Sequence, residues 1–374
     1  MAVRAFLPVF LFLLSLLVAS AAGAAVEYIL TGLGDLPGGI YSSEAHDVNE
    51  LGHVVGTGAP QTNSGAFLWD PVRGMQNLHD LLPALWSSGA AGINDRGEVA
   101  LTATSAAGSR AFLWDPANGM QDLGALPCED PNSFAHGING SSQVVGDSYV
   151  TGGHHAFLWD PIQRMQDLGD LPGGEDQSYA HGINDNGQVV GFAHGPNGRR
   201  AFLWDSVNGM QNLGALLDDT ATSRAKAINS HGWVVGTMKP SAVTTDAFLW
   251  DPVNGTRELG HLPGGDRASS AAAINDDGLV VGGSDVGAGY HAFVWDSVNG
   301  MRDLNDLIGE SSGWSLKGAL GINNRGQIAG FGQNPDGSFE AYLLTLIPEP
   351  GTVTLAGLGA LGLLITMKRR TALR

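Results

Sequence analysis

Ser178-Tyr179-Ala180-His181-Gly182-Ile183-Asn184, Asp185-Asn186-Gly187, Gln188-Val189-Val190-Gly191-Phe192, Ala201-Phe202-Leu203-Trp204-Asp205 and Met210-Gln211-Asn212-Leu213-Gly214 follow one another along the chain. Four of these five pieces have the length and apolar content of short strands. Asp185-Asn186-Gly187 is a tight turn that reverses antiparallel strands, and Ser206-Val207-Asn208-Gly209 is the turn into the fourth strand. Four short antiparallel strands in about 45 residues make one propeller blade.

The unit recurs. Ala-Phe-Leu-Trp-Asp, or its variant with Val, places Trp at 69, 114, 159, 204, 250 and 295, in steps of 45, 45, 45, 46 and 45. An Ile-Asn or Val-Asn pair marks the first strand at Asn49, Asn94, Asn139, Asn184, Asn229, Asn275 and Asn323. Seven copies fill residues 25–347, and a period of this size signals a solenoid, a propeller or an array.

Closure separates these. The seventh copy reaches its third strand at Ala341-Tyr342-Leu343-Leu344 and lacks a fourth. The stretch Tyr28 to Pro37 matches Met165 to Pro172, a fourth strand and its exit. The reading is therefore an all-β, seven-bladed β-propeller closed by its N-terminal strand, with no long free sheet edge. Within it, Ala and Gly beside each Ile-Asn allow close backbone approach on the innermost strands. Phe and Trp of the third strands fill the space between blades, and the repeated Asn hydrogen-bonds its own turn.

Composition agrees. The chain has 374 residues, 43% hydrophobic and only 15% charged, with 55 Gly, as many strands joined by tight turns require. Its formal net charge of −18 argues against nucleic acid, which needs clustered Lys and Arg. Arg4, Lys368, Arg369, Arg370 and Arg374 all lie in the two ends, so residues 25–367 are more acidic still. Solubility accounts for this acidity, with divalent-cation contact as the alternative. Cys128 is alone, so stability comes from packing rather than an intrachain disulfide.

The ends read as addresses. Arg4, the apolar run Ala5 to Val18 and Ala22-Gly23-Ala24 have the three regions of a secretory signal peptide over residues 1–24. At the other end Pro348-Glu349-Pro350 precedes an apolar stretch from Gly351 to Met367 and then Lys368-Arg369-Arg370. As a helix those seventeen residues rise about 25 Å, near the lower limit for a transmembrane segment, with the basic cluster on the cytoplasmic side. A plain C-terminal anchor is one reading. Residues 348–374 also resemble the PEP-CTERM sorting signal of Gram-negative bacteria, which implies cleavage by an exosortase and only transient residence in the inner membrane.

Units such as His155-Ala156-Phe157-Leu158-Trp159-Asp160 and His291-Ala292-Phe293-Val294-Trp295-Asp296, preceded by Ile-Asn-x-x-Gly-x-Val-Val-Gly, look like the HAF repeat of extracellular bacterial proteins. That resemblance implies an exported repeat protein and brings no catalytic residues. The leading His gives way to Gly65, Arg110, Arg200, Asp246 and Glu340 in other copies, which argues against a shared functional group there.

Motifs for chemistry are sparse. The chain holds no G-x-S-x-G, no H-E-x-x-H and no spaced Cys pair. Asn184 to Gly187 lacks the later bidentate acid of a calcium loop and reads as a hairpin turn. His46, His136 and His181, with Lys226, occupy equivalent first-strand positions near the axis, as polar packing or as ligands for a transition metal. No cofactor and no metal is expected. The leading expectation is a non-enzymatic cell-surface or extracellular-matrix protein that binds a polysaccharide or another envelope component. The alternatives are a glycan-active enzyme and a calcium-stabilised structural component. Links between strands one and two, and three and four, are short and alike. The other set varies, at Tyr149 to His154, Ala193 to Arg200, Met238 to Asp246, Ser284 to Tyr290 and Leu171 to Gln177. Variable links on a rigid ring are where recognition resides, so His154, Arg199, Arg200, Asp246 and Tyr290 are the candidate ligand-binding residues.

Overall fold

The computed structural model describes residues 28–37, 42–59, 63–82, 87–213, 222–239, 244–265 and 268–347. The expected signal peptide and the Pro-Glu-Pro, apolar and basic segments of the tail lie outside these residues. Among the described residues no helix is long and apolar enough to cross a membrane.

Every expected strand forms, and the strands group into seven four-stranded antiparallel sheets. Blades one to six run from Ser43 to Asn77, Ser87 to Asp122, Ser133 to Asp167, Ser178 to Asn212, Thr222 to Glu258 and Ser269 to Asp303. Blade seven takes Ser315–Ile322, Ile328–Gln333 and Phe339–Leu346 from the C-terminal side and Tyr28–Gly32 from the N-terminal side. Tyr28 lies opposite Leu346 and Gly32 opposite Tyr342, and the Leu33 amide continues the ladder to the Ala341 carbonyl at 2.9 Å. The ring is closed as the missing fourth strand requires.

The core is not central. It is divided into seven apolar seams, one between each pair of neighbouring blades. The third strand shows why: side chains alternate between its two faces, and both are buried. Phe157 and Trp159 turn toward Leu113 and Leu123 of blade two, while Ala156 and Leu158 turn toward Ala180 and Phe202 of blade four. Both faces of the Ala-Phe-Leu-Trp run therefore need apolar residues. Buried serines reach across the same seams. The Ser178 hydroxyl accepts from the Ala156 amide at 2.9 Å, and Ser88, Ser133, Ser223, Ser269 and Ser43 repeat the bond with the blade before them. Blade seven replaces it with Asn305, whose carboxamide pairs with the amide and carbonyl of Leu316.

First and second strands carry a β-bulge. Pairing slips one residue between Ala180 and Gly182, leaving His181 as the extra residue, and the same slip leaves out His46, His136 and Lys226. The glycine of Val-Val-Gly is explained by its neighbour: a Cβ on Gly191 would lie 1.9 Å from the Tyr179 carbonyl oxygen.

The repeated Asn does more than cap its own turn. Oδ1 of Asn184 accepts from the amides of Asn186 and Gln188 at 3.1 and 3.0 Å, as expected. Its Nδ2 donates to the carbonyl of Asn229 in the next blade at 3.0 Å. Asn229 does the same to Asn275, Asn275 to Asn323, Asn323 to Asn49, Asn49 to Asn94, Asn94 to Asn139 and Asn139 to Asn184, at 2.9 to 3.2 Å. The bonds form a closed circle at one end of the axis.

Candidate functional site

At the opposite end, where the variable links lie, blades four to six frame a cleft of about 720 Å³. Arg199, Arg224, Lys226 and Lys239 line it together with Glu175 and His194. Thr222, Thr237, Thr245 and Ser270 add hydroxyl groups.

The two arginines are placed by one aromatic ring. Phe192, on the second strand of blade four, has the Arg224 guanidinium 4.9 Å and the Arg199 guanidinium 5.5 Å from its centroid. Tyr179 stacks on the same ring at 4.7 Å, and His154 on Tyr179 at 5.3 Å. An aromatic file thus runs from blade three to the cleft. Arg199 also donates from Nε to Nε2 of His194 at 3.4 Å, and Nδ1 of His194 bonds Oε2 of Glu175 at 2.9 Å. Glu175 is therefore engaged by a histidine. Among the described residues no carboxylate forms an ion pair with Arg199, Arg224, Lys226 or Lys239.

Beside the cleft, bulge residues of neighbouring blades meet. His136 and His181 stand edge to face at 5.6 Å, and Nδ1 of His181 lies 2.9 Å from the Ala225 carbonyl. Burial first, then the charge of Lys226 and then His136, push the His181 imidazole down to about 3. Solvent reaches Lys226, yet the surrounding protein pulls its ammonium below the ordinary lysine range. His46 bonds the Ala90 carbonyl instead, and Ala91 of blade two stands between it and His136. Among the described residues no group of three or more His, Cys, Asp or Glu is placed to hold a metal ion.

The five candidate residues separate. All lie on strands rather than in links, and in blades three and four the hairpins joining second and third strands turn over only a few residues: Gly195 pairs with Gly198, and Val150 with Gly153. Arg199 faces the cleft. Arg200 is the next residue on the same strand, so it points the other way and is buried, with its guanidinium on the Arg199 carbonyl at 3.1 Å. His154 belongs to the aromatic file and bonds the buried Asp147 at 3.0 Å. Asp246 is buried 3.0 Å from His261, and half-exposed Tyr290 lies on blade six, outside the cleft lining. Sequence reading missed Arg224, Lys239 and Phe192. The signal was available in the strand positions, where Arg224 stands in place of Glu44, Gly89, Phe134, Tyr179 and Ser270.

The tail is identified by comparison. Residues 346–370 match the PEP-CTERM protein-sorting motif. This motif implies an exported protein processed at the cell envelope by an exosortase. No curated protein matches the chain. Among solved structures the chain is similar to an oligogalacturonate lyase from Vibrio parahaemolyticus, with 12% identity and a TM-score of 0.53 over 88% of this chain and 99% of that one. It is also similar to a puromycin-hydrolyzing peptidase from Mycobacterium tuberculosis, with 10% identity and a TM-score of 0.55 over 85% of this chain. The chain spans 55% of that peptidase. At these identities the likeness shows the fold alone.

Proposed function

We propose that this exported propeller is a non-enzymatic binding protein of the cell surface or extracellular matrix, which holds a polysaccharide or another envelope component on the face of its variable links. The cleft between blades four to six carries the reading: charged and hydroxyl groups converge there on a rigid scaffold. Binding is favoured over glycan hydrolysis because acid and base chemistry needs two placed carboxylates, and among the described residues the cleft lining holds Glu175 alone, already bonded to His194. The resemblance of the repeated unit to HAF repeats fits the same extracellular setting, and the sorting motif supplies export. After processing, the tail segment Lys368-Arg369-Arg370 is absent from the released protein.

A glycan array probed with residues 25–347, with and without calcium, tests the reading. Retention on at least one saccharide without new reducing ends is expected. Release of shortened saccharide would replace the binding protein with an enzyme.

A further inference from the structure

We infer that the cleft binds an anionic saccharide, whose carboxylate or sulfate groups are taken by Arg199, Arg224, Lys226 and Lys239; this rests on the binding reading above.

The first argument is charge. The chain carries 37 acidic and 19 basic residues, yet four of those basic side chains line one cleft. In a protein with so much negative charge, a local reversal of sign selects ligands by electrostatic complementarity. Among the described lining residues Glu175 is the one carboxylate, and it is paired with His194.

The second argument is preparation. A guanidinium usually gains its fixed position from a carboxylate, which also uses up its N–H groups. Here Arg199 and Arg224 rest against Phe192, an interaction through the ring face that leaves N–H edges for a planar oxyanion. Phe192 is itself fixed, 7% exposed and stacked on Tyr179, so both arginines are held before any ligand arrives. Their ordering cost is met in the free protein, which favours affinity. Lys226 adds to this. Although solvent reaches it, the surrounding protein already disfavours its charge, and an entering anion would offset that cost.

The third argument concerns which polyanion fits. Hydroxyls of Thr222 and Thr245 in the lining suit the ring hydroxyls of a sugar. A nucleic acid strand would seek exposed rings for its bases and a basic track for a run of phosphates. Phe192 is covered and stacked on Tyr179, so it offers no free ring face to a base. A few acidic sugars need the cleft and nothing outside it.

The test is titration calorimetry of residues 25–347 with sodium polygalacturonate, a sulfated glycosaminoglycan, neutral dextran and single-stranded DNA. Variants are Arg224→Ala, Lys239→Ala and, as a control on the opposite face, Val207→Ser. Binding to the carboxylated or the sulfated polymer is expected, and which of the two binds identifies the anionic group. Arg224→Ala should weaken it roughly tenfold or more, and exposed Lys239→Ala should weaken it less, at unchanged melting temperature. Raised salt should also weaken it, while Val207→Ser leaves it alone. Dextran binding equally well, or anionic binding indifferent to both cationic variants, would overturn the inference and leave the binding protein standing. Preference for DNA would also overturn it. Failure with every saccharide here and on the array would remove both.

Discussion

The two ends of the ring are built by opposite rules. At the turn end every blade spends the same residue on the same bonds: seven asparagines, each capping a turn and each donating to the next. At the link end the equivalent positions disagree. Glu44, Gly89, Phe134, Tyr179, Arg224 and Ser270 face Thr57, Thr102, Asp147, Phe192, Thr237 and Gly283 across the same pair of strands. Residues that repeat answer to the geometry of closure. Residues that change at a fixed position are released from it, and they can answer to a ligand.

The sharpest way to break this division is to open the ring. A chain lacking Tyr28 to Gly32 loses the outer strand of blade seven and the buried Tyr28 in the seam with blade six. Melting should fall by roughly 10 °C or more, in a broadened transition. A sharp transition at the parent temperature would mean that blade seven needs no fourth strand.

A smaller effect separates the two ends. Asn184→Ala removes four hydrogen bonds, two in its own turn, one to the Gln188 side chain and one to Asn229, and leaves two part-buried amides and the buried Asn229 carbonyl without a partner. A cost of about 2–4 kcal/mol is expected in denaturant unfolding, with glycan affinity unchanged in the folded fraction. Equal loss at the cleft would show that the turn end and the link end are not independent.

The smallest effect is in the pH dependence. His181 stays neutral in the folded protein down to about 3, whereas the unfolded chain takes up that proton near 6.5. Stability held above 6.5 is therefore lost as pH falls from 6.5 toward 3. Asp47 works the other way. Burial raises its carboxyl to about 6 against 3.8 in the unfolded chain, so its contribution grows as pH falls between those values. Comparing His181→Gln with the parent cancels the Asp47 contribution. Between pH 7 and pH 4.5 the variant should lose less melting temperature than the parent, and parallel curves would mean that His181 is solvated.

The architecture was legible in the sequence because each level repeated the same message. Spacing of Trp gave the blade, Asp-Asn-Gly the reversal, and the absent strand after Leu344 the closure. The asparagine circle was only half legible. A side chain's own turn is local in sequence, but its donation to Asn229 depends on how closely the first strands approach at the axis. The cleft was harder still. Links drew attention because they vary in length, yet Arg199 and Arg200 differ only in which face of a strand they occupy. Arg224 meets Phe192 only because blades four and five are neighbours.

Tyr28 to Gly32 also fixes an order of events. The strand leaves first when a chain is exported from its N-terminus, and its partner Phe339–Leu346 leaves last, immediately ahead of the sorting motif. Six blades can form while the seventh waits with an unpaired edge on each side. Closure therefore waits for the last residues ahead of the sorting motif, and until they arrive the chain is an open arc with free strand edges.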